Sequence, residues 1–245
     1  MELDGRVAVV TGGTRGLGLT IAREFLREGA SVVCAARTGG EFKTLLDDHP
    51  GHVRYQRADV TDPDSVEALM TSAVDAFGAL DVVVANAGVN RDGRAERLAV
   101  PDWRVMIDTN LTGVFLCTRA AVPHLRERGG AIVNLSSIMA SRPTVGAAGY
   151  SASKAAVEAF TRVTAIELGR YSIRVNALAP GFLDEGMGRA VSRNDKVWEA
   201  YRRRFALGRV GEAREAARAA VFLASDEASY VNGSVLEVSG GLLWS

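Results

Sequence analysis

Apolar residues come in short unbroken runs along this chain, and between the runs they recur at helical spacing. RVAVVTG (6–12), SVVCAA (31–36), HVRYQRADV (52–60), LDVVVANAG (80–88), GAIVNLSS (130–137), IRVNALAPG (173–181) and GSVLEVSG (233–240) each hold a strand. Helical periods fill the gaps: GLTIAREFLREGA (18–30), GEFKTLLDDH (40–49), DPDSVEALMTSAVDAFG (62–78), a long helix over about 101–128, GYSASKAAVEAFTRVTAIELG (149–169) and a last helix over 212–224. Asp62, Pro63 and the acids after them suit a helix start, and Gly29 suits a helix stop. Strands that are apolar throughout are covered on both faces. The pattern therefore predicts an α/β chain with a parallel sheet of right-handed βαβ units. Seven strands and their helices make one doubly wound domain over 1–245, with no linker or repeat. The one long stretch outside this rhythm, about 183–209, leaves the carboxyl end of the sixth strand, where a substrate lid belongs.

Composition narrows the function classes. The chain has 245 residues, 47% hydrophobic and 24% charged, with 29 basic against 29 acidic side chains. That balance supports a sizeable core and argues against a nucleic-acid partner. No apolar run approaches a membrane span, and MELDGRVAVV does not read as a signal peptide, so the expected address is the cytoplasm. Cys34 and Cys117 form no metal or disulfide pattern, and His49, His52 and His124 stand in no metal-ligand spacing.

TGGTRGLG (11–18) lies between the first strand and the first helix. Gly12, Gly16 and Gly18 allow a tight turn and a close approach of backbone amides to a pyrophosphate, beside the positive end of a helix. A residue at the end of the second strand then reads the adenosine ribose. An acid there would bond the hydroxyls of NAD, and a basic residue would accommodate the 2'-phosphate of NADP. No acid stands between Gly29 and Gly40, whereas Arg37 follows the strand and Arg15 sits in the glycine loop. NADP(H) is therefore favoured over NAD(H). Asp59 after the third strand suits the adenine amine, and Asn86 in NAG after the fourth lines the same crevice.

Of the 29 basic side chains only Lys43, Lys154 and Lys196 are lysines, and Lys154 follows Tyr150 by four residues on a predicted helix. The two share a face. An ammonium beside a phenol is expected to lower the phenol's pKa and make it usable as an acid or base. Thirteen residues before Tyr150, the fifth strand ends in Ser136 and Ser137. Either hydroxyl could bond a substrate carbonyl oxygen.

With these motifs in order, the chain resembles the short-chain dehydrogenase/reductase family: TGGTRGLG, ADV at Asp59, NAG at Asn86, TNLTGVF around Asn110, NLSS, YSASK and RVNALAPG. The resemblance implies a Rossmann sheet of order 3-2-1-4-5-6-7 and, commonly, a homotetramer. It implies Ser137 as catalytic Ser, Tyr150 as acid/base, Lys154 as its partner and a holder of the nicotinamide ribose, and Asn110 as the anchor of a water on the proton relay. Cofactor contacts are implied for Thr11, Gly12, Thr14, Arg15, Gly16, Leu17 and Gly18. Beyond the glycine loop they are implied for Arg37, Asp59, Val60, Asn86, Ala87, Gly88, Tyr150, Lys154, Pro180 and Gly181. The reaction implied is reduction of a ketone by NADPH, with an NAD-linked alcohol dehydrogenase or a non-catalytic nucleotide sensor as alternatives. No metal is required.

Within the family the chain is similar to 3-oxoacyl-[acyl-carrier-protein] reductases. Arg128 and Arg170 stand near positions used there for a carrier protein. Two features stand apart. Glu185 replaces the Thr that the family places after APG, with Gly186 and Gly188 beside it suggesting a mobile loop. The lid is basic, with Trp198, Tyr201 and Phe205 interleaved.

Overall fold

The computed structural model describes residues 1–185, 199 and 203–242. The seven expected strands are present: β1 Val7–Thr11, β2 Ser31–Ala36, β3 Val53–Arg57, β4 Val82–Ala85, β5 Gly130–Leu135, β6 Ile173–Pro180 and β7 Val235–Val238. All pairs are parallel, in the order β3-β2-β1-β4-β5-β6-β7. The chain is a single-domain Rossmann fold. The order reverses between β1 and β4, which opens a crevice at their carboxyl ends.

Among the described residues seven helices cover the sheet: α1 Gly16–Arg27, α2 Lys43–Asp48, α3 Pro63–Phe77, α4 Val100–Ile107, α5 Gly113–Leu125, α6 Ala148–Leu168 and α7 Ala213–Ala224. Alternation along β1 shows both faces at work. Val7 and Val9 pack with Leu69, Cys117, Leu125 and Val157 from α3, α5 and α6. Ala8 and Val10 pack with Ile21, Phe25, Leu45 and Ala220 from α1, α2 and α7. Burying each such Val side chain contributes about 1.5–3 kcal/mol, so the crevice rests on a rigid floor. Both cysteines are buried, and burial pushes each thiol up to about 12. They behave as small apolar side chains.

Local chemistry sets the element ends. Asp62 accepts from the Asp64 amide at the start of α3, Pro63 occupies the first turn, and Gly78 closes the helix at φ 82°. Glu24 of α1 is buried and pairs with Arg27 and with Arg214 of α7 (3.1 Å), which ties the first helix to the last.

The long helix expected over 101–128 is present, as α4 and α5 in one unbroken run of helical backbone. Asp108–Thr112 between α4 and α5 is a π turn, in which the Gly113 amide bonds the Asp108 carbonyl. One residue too many for the α pitch is taken up there, as at many functional sites. Among the described residues no helix is long and apolar enough to cross a membrane, and no group of His, Cys, Asp and Glu could hold a metal ion.

Candidate functional site

The glycine loop lies where β1 passes into α1, and its glycines are needed for room. A Cβ on Gly18 would sit 2.3 Å from the Gly12 carbonyl oxygen, and one on Gly12 would sit 2.8 Å from Asn86 Nδ2. Gly12 and Gly16 have φ of 66° and 54°, a region other residues avoid. Arg15 is the extended N-cap of α1, without a side-chain cap bond, and no acid stands in the first turn. Helix amides with no cap suit an anion. α2, α4 and α6 also start without a side-chain cap, whereas α3 has its Asp cap and α7 a reciprocal box of Glu212 and Glu215.

Thr11 and Asn86, expected at the cofactor, clasp the two strands that frame the crevice. Thr11 Oγ1 accepts from the amides of Asn86 (2.9 Å) and Ala87 (3.0 Å), and Asn86 Nδ2 donates to the Thr11 carbonyl (2.8 Å). Thr14 is buried and donates to the Thr38 carbonyl (3.1 Å), while its own carbonyl accepts from Glu41 N. The segment carrying Arg37 is thereby docked on the glycine loop. Leu17 packs on the core below.

Arg37 and Arg15 are exposed at this end. Asp59 Oδ1 accepts from the Thr61 amide (3.0 Å) and hydroxyl (2.8 Å), which hold the carboxyl below its ordinary range, with the Arg37 charge assisting. Val60 is buried against Gly113, where a Cβ would meet it at 2.9 Å. Gly88 is exposed; a Cβ there would lie 3.3 Å from Asn110 Oδ1 and 3.7 Å from Lys154 Nζ. Pro180 ends β6 beside Val238, and the Gly181 amide bonds the Val238 carbonyl. Every expected contact residue thus sits at the strand carboxyl ends or the helix starts facing them.

Tyr150 and Lys154 lie on the inner face of α6, 8% and 4% exposed. Lys154 Nζ donates to the Leu135 carbonyl (2.6 Å) and stands 5.8 Å from the Tyr150 ring centroid. Ser137 caps the short turn Ile138–Ala140, accepts from the Met139 amide (3.2 Å) and is hydrogen-bonded to Tyr150. Ser136 is turned elsewhere, with its hydroxyl donating to Glu158 Oε1 at 2.9 Å. Of the two serines left open by sequence, Ser137 is the one beside the phenol.

The phenol's pKa runs opposite to the expectation from spacing. Burial pushes Tyr150 up, and the Ser137 hydrogen bond offsets this only in part. Burial also brings Lys154 down to about 8. Helical spacing brings the ammonium near the phenol, but the desolvation both groups share outweighs it. The site holds a protonated phenol at neutral pH, next to an amine that titrates not far above it.

Asn110 is fully buried in the π turn. Its Oδ1 accepts from Val89 N (2.8 Å), and its Nδ2 donates to the Val89 carbonyl (2.9 Å) and to Ser153 Oγ (3.0 Å). Ser153 Oγ in turn donates to the Tyr150 carbonyl (2.7 Å). The Asn110 side chain therefore joins the loop after β4 to the Tyr150 turn. Ser153 and Glu158 have these roles without having been singled out from sequence. The one available signal was their place on the Tyr150–Lys154 helix, three and eight residues after Tyr150.

Residues 12–243 match a family model described as enoyl-(acyl carrier protein) reductase. The chain belongs to the short-chain dehydrogenase/reductase family. It is 38% identical to the 3-oxoacyl-[acyl-carrier-protein] reductase FabG of Thermotoga maritima, over 99% of this chain and 100% of that one. The FabG of Vibrio cholerae is 36% identical over 99% of both chains. The 3-alpha-(or 20-beta)-hydroxysteroid dehydrogenase of Mycobacterium tuberculosis is 41% identical over 98% of this chain and 90% of that one. The protein is an oxidoreductase of this family.

In this dehydrogenase/reductase the segment after β6 returns to α1. Thr20 Oγ1 donates to Glu185 Oε2 (3.0 Å), so the carboxylate that replaces the family's Thr faces the cofactor helix. Leu183 bridges Gly211, Asp184 N bonds the Gly211 carbonyl, and Asp184 Oδ1 accepts from Ala213 N (3.3 Å). Phe182 and Phe205 meet edge to face at 5.8 Å, packed with Ile138, Met139 and Leu242 just past Ser137. Of the expected lid, Gly186, Gly188, Trp198 and Tyr201 lie outside the described residues. Arg128 precedes β5 and lies 3.9 Å from Asp81, and Arg170 stacks on Tyr171 ahead of β6. Both are at the amino edge of the sheet. A six-residue strand separates that edge from Ser137.

Proposed function

We propose that the protein reduces a ketone to a secondary alcohol with NADPH, taking a 3-oxoacyl thioester, and that Ser137, Tyr150 and Lys154 carry the reaction. The observation behind this is the buried trio itself: a protonated phenol, bonded to Ser137, beside an amine held near 8. The uncapped start of α1 and the glycine cradle fit a pyrophosphate. The absence of an acid after β2, with Arg37 and Arg15 exposed there, supports NADPH over NADH. The nicotinamide supplies hydride when bound. The carbonyl oxygen gains charge as its carbon takes that hydride, and the hydroxyls of Ser137 and Tyr150 donate to it. Tyr150 then gives its proton to the oxygen and becomes a phenolate, which the Lys154 ammonium stabilises. Hydride and proton together convert the carbonyl to the alcohol.

NADPH and NADH consumption with acetoacetyl-coenzyme A tests this. NADPH turnover that Tyr150→Phe abolishes is the expected result. Undiminished turnover in that variant overturns the residue assignment, and NADH as the better reductant favours the NAD-linked alternative. A polycyclic ketone is the second reading, favoured by the apolar wall of Phe182, Phe205 and Leu242, and a steroid ketone in the same assay decides between them.

We infer a homotetramer in the cytoplasm. Phe115, Val163 and Ile166 are 44%, 53% and 83% exposed on α5 and α6, an apolar face that a second copy would cover. In such an assembly an acyl carrier protein would meet Arg128 and Arg170 of a neighbouring protomer. Two free buried thiols suit a reducing compartment.

A further inference from the structure

Three consecutive residues at the end of β5 are each fastened to α6, at three successive turns of that helix. The Leu135 carbonyl takes Lys154 Nζ (2.6 Å), the Ser136 hydroxyl donates to Glu158 Oε1 (2.9 Å), and Ser137 is bonded to Tyr150. Tyr150, Lys154 and Glu158 stand four residues apart, so they form one stripe along the helix. The first two members are the proposed acid and its partner. The third has no part in the chemistry described so far.

Ser136 is 4% exposed and doubly anchored: its amide donates to the Leu178 carbonyl (2.8 Å) and its hydroxyl to Glu158. Among the described residues the only other hydrogen bond of that hydroxyl is a longer one, to the Lys154 carbonyl (3.4 Å). The second Glu158 oxygen lies 3.5 Å from Arg162, a solvent-facing partner of the kind that contributes little. The Glu158 side chain itself is only 13% exposed, so its bond to Ser136 is formed largely away from water. A hydrogen bond to a charged acceptor in such a place is stronger than one between neutral groups.

Two adjacent hydroxyls follow β5, and they are held to different residues of α6: Ser136 to Glu158 and Ser137 to Tyr150. We propose that Glu158 is a positioning residue, which holds Ser136 on α6 and so fixes the peptide that sets Ser137 beside Tyr150. Without the carboxylate, the Ser136 hydroxyl loses its acceptor in a buried place and must turn to another. The nearest acceptor among the described residues is the Lys154 carbonyl (3.4 Å), and a move of the hydroxyl toward it shifts the peptide that carries Ser137. This inference rests on the roles proposed above for Ser137 and Tyr150.

The test is steady-state reduction of acetoacetyl-coenzyme A by NADPH in the full chain, with NADPH affinity followed by fluorescence. Glu158→Met keeps the length and removes the acceptor. It is expected to lower kcat about tenfold, within the range that a misplaced catalytic group costs, and to leave KM and NADPH affinity within about twofold. Glu158→Gln keeps an acceptor oxygen and is expected to restore most of the rate. Ser136→Ala added to Glu158→Met removes the displaced hydroxyl and is expected to recover kcat, which a purely structural loss would not do. Unchanged kcat in Glu158→Met, or a loss that Ser136→Ala does not relieve, overturns the proposal. Ser137→Ala and Tyr150→Phe run alongside. If these two retain full turnover, the underlying catalytic reading is at fault. If they lose it while Glu158→Met does not, only the Glu158 proposal falls.

Discussion

Replacing Lys154 with Met should make the free protein inactive and, at neutral pH, more stable. The ammonium is 4% exposed and donates to one carbonyl, that of Leu135. Burial brings its pKa from 10.5 to about 8. Below pH 8 the lysine is charged in the folded and unfolded chain alike, and folding bears the full cost of burying the charge. That cost is about 3 kcal/mol, taking about 1.4 kcal/mol for each pKa unit. Between pH 8 and 10.5 the unfolded chain holds the proton that the folded chain has released, so stability rises with pH across this window. Above 10.5 the cost is gone. Met removes it at every pH but leaves the Leu135 carbonyl without its donor, a loss of about 1–3 kcal/mol.

The net expectation is a variant stabilised by about 1 kcal/mol at pH 7, with the sign reversed by pH 10.5. Urea unfolding of both proteins, at equal protein concentration and several pH values, measures the difference. Other titrating groups cancel in the comparison, as does any linkage to assembly. A stability difference that stays constant between pH 7 and 10.5 would refute the reasoning, because it would mean that Lys154 has the same pKa folded and unfolded.

Three further outcomes follow from the cofactor side. Arg37→Ala should weaken NADPH at least about tenfold and leave NADH nearly unchanged, as read by titration, since one charge-assisted contact to the 2'-phosphate is lost. Equal loss for both cofactors would remove Arg37 from that phosphate. Glu185→Gln should tighten NADPH several-fold, most visibly at low salt, because the carboxylate bonded to Thr20 faces the helix that would hold the pyrophosphate. Unaltered affinity would mean that Glu185 leaves this place on binding. Gly18→Ala should lose cofactor binding and lower Tm, since its Cβ has only 2.3 Å to the Gly12 carbonyl oxygen. Binding as tight as in the parent protein would contradict the close-packed loop.

The sheet was readable because each central strand is apolar on both faces, whereas the order of its strands came only with the family resemblance. Tyr150 and Lys154 were readable because helical spacing alone puts them on one face. The π turn was hidden: a single extra residue at Asp108–Thr112 scarcely disturbs an apolar period that runs on into α5. The direction of the Tyr150 shift was hidden as well, since desolvation depends on what packs around α6 and no local spacing encodes it. Ser136 and Ser137 could not be separated for a similar reason. The residue that parts them, Glu158, is distant along the chain and reaches Ser136 only once β5 and α6 have packed. Resemblance alone sets Arg128 and Arg170 near carrier-protein positions, and only the topology shows that they lie at the amino edge of the sheet, away from Tyr150.

The bridge between Leu183 and Gly211, with Asp184 bonded to both Gly211 and Ala213, brings the two ends of the excursion after β6 to one point. A detour that departs and rejoins at the same place is modular. Its length and composition can change by insertion, deletion or grafting while the sheet underneath keeps its register, and each doubling of length adds only about 0.6 kcal/mol of closure entropy. A lineage built on this scaffold can therefore acquire new substrates by exchanging a cassette between two fixed posts, without rebuilding the trio at β5 and α6. The same junction marks where an engineer would cut.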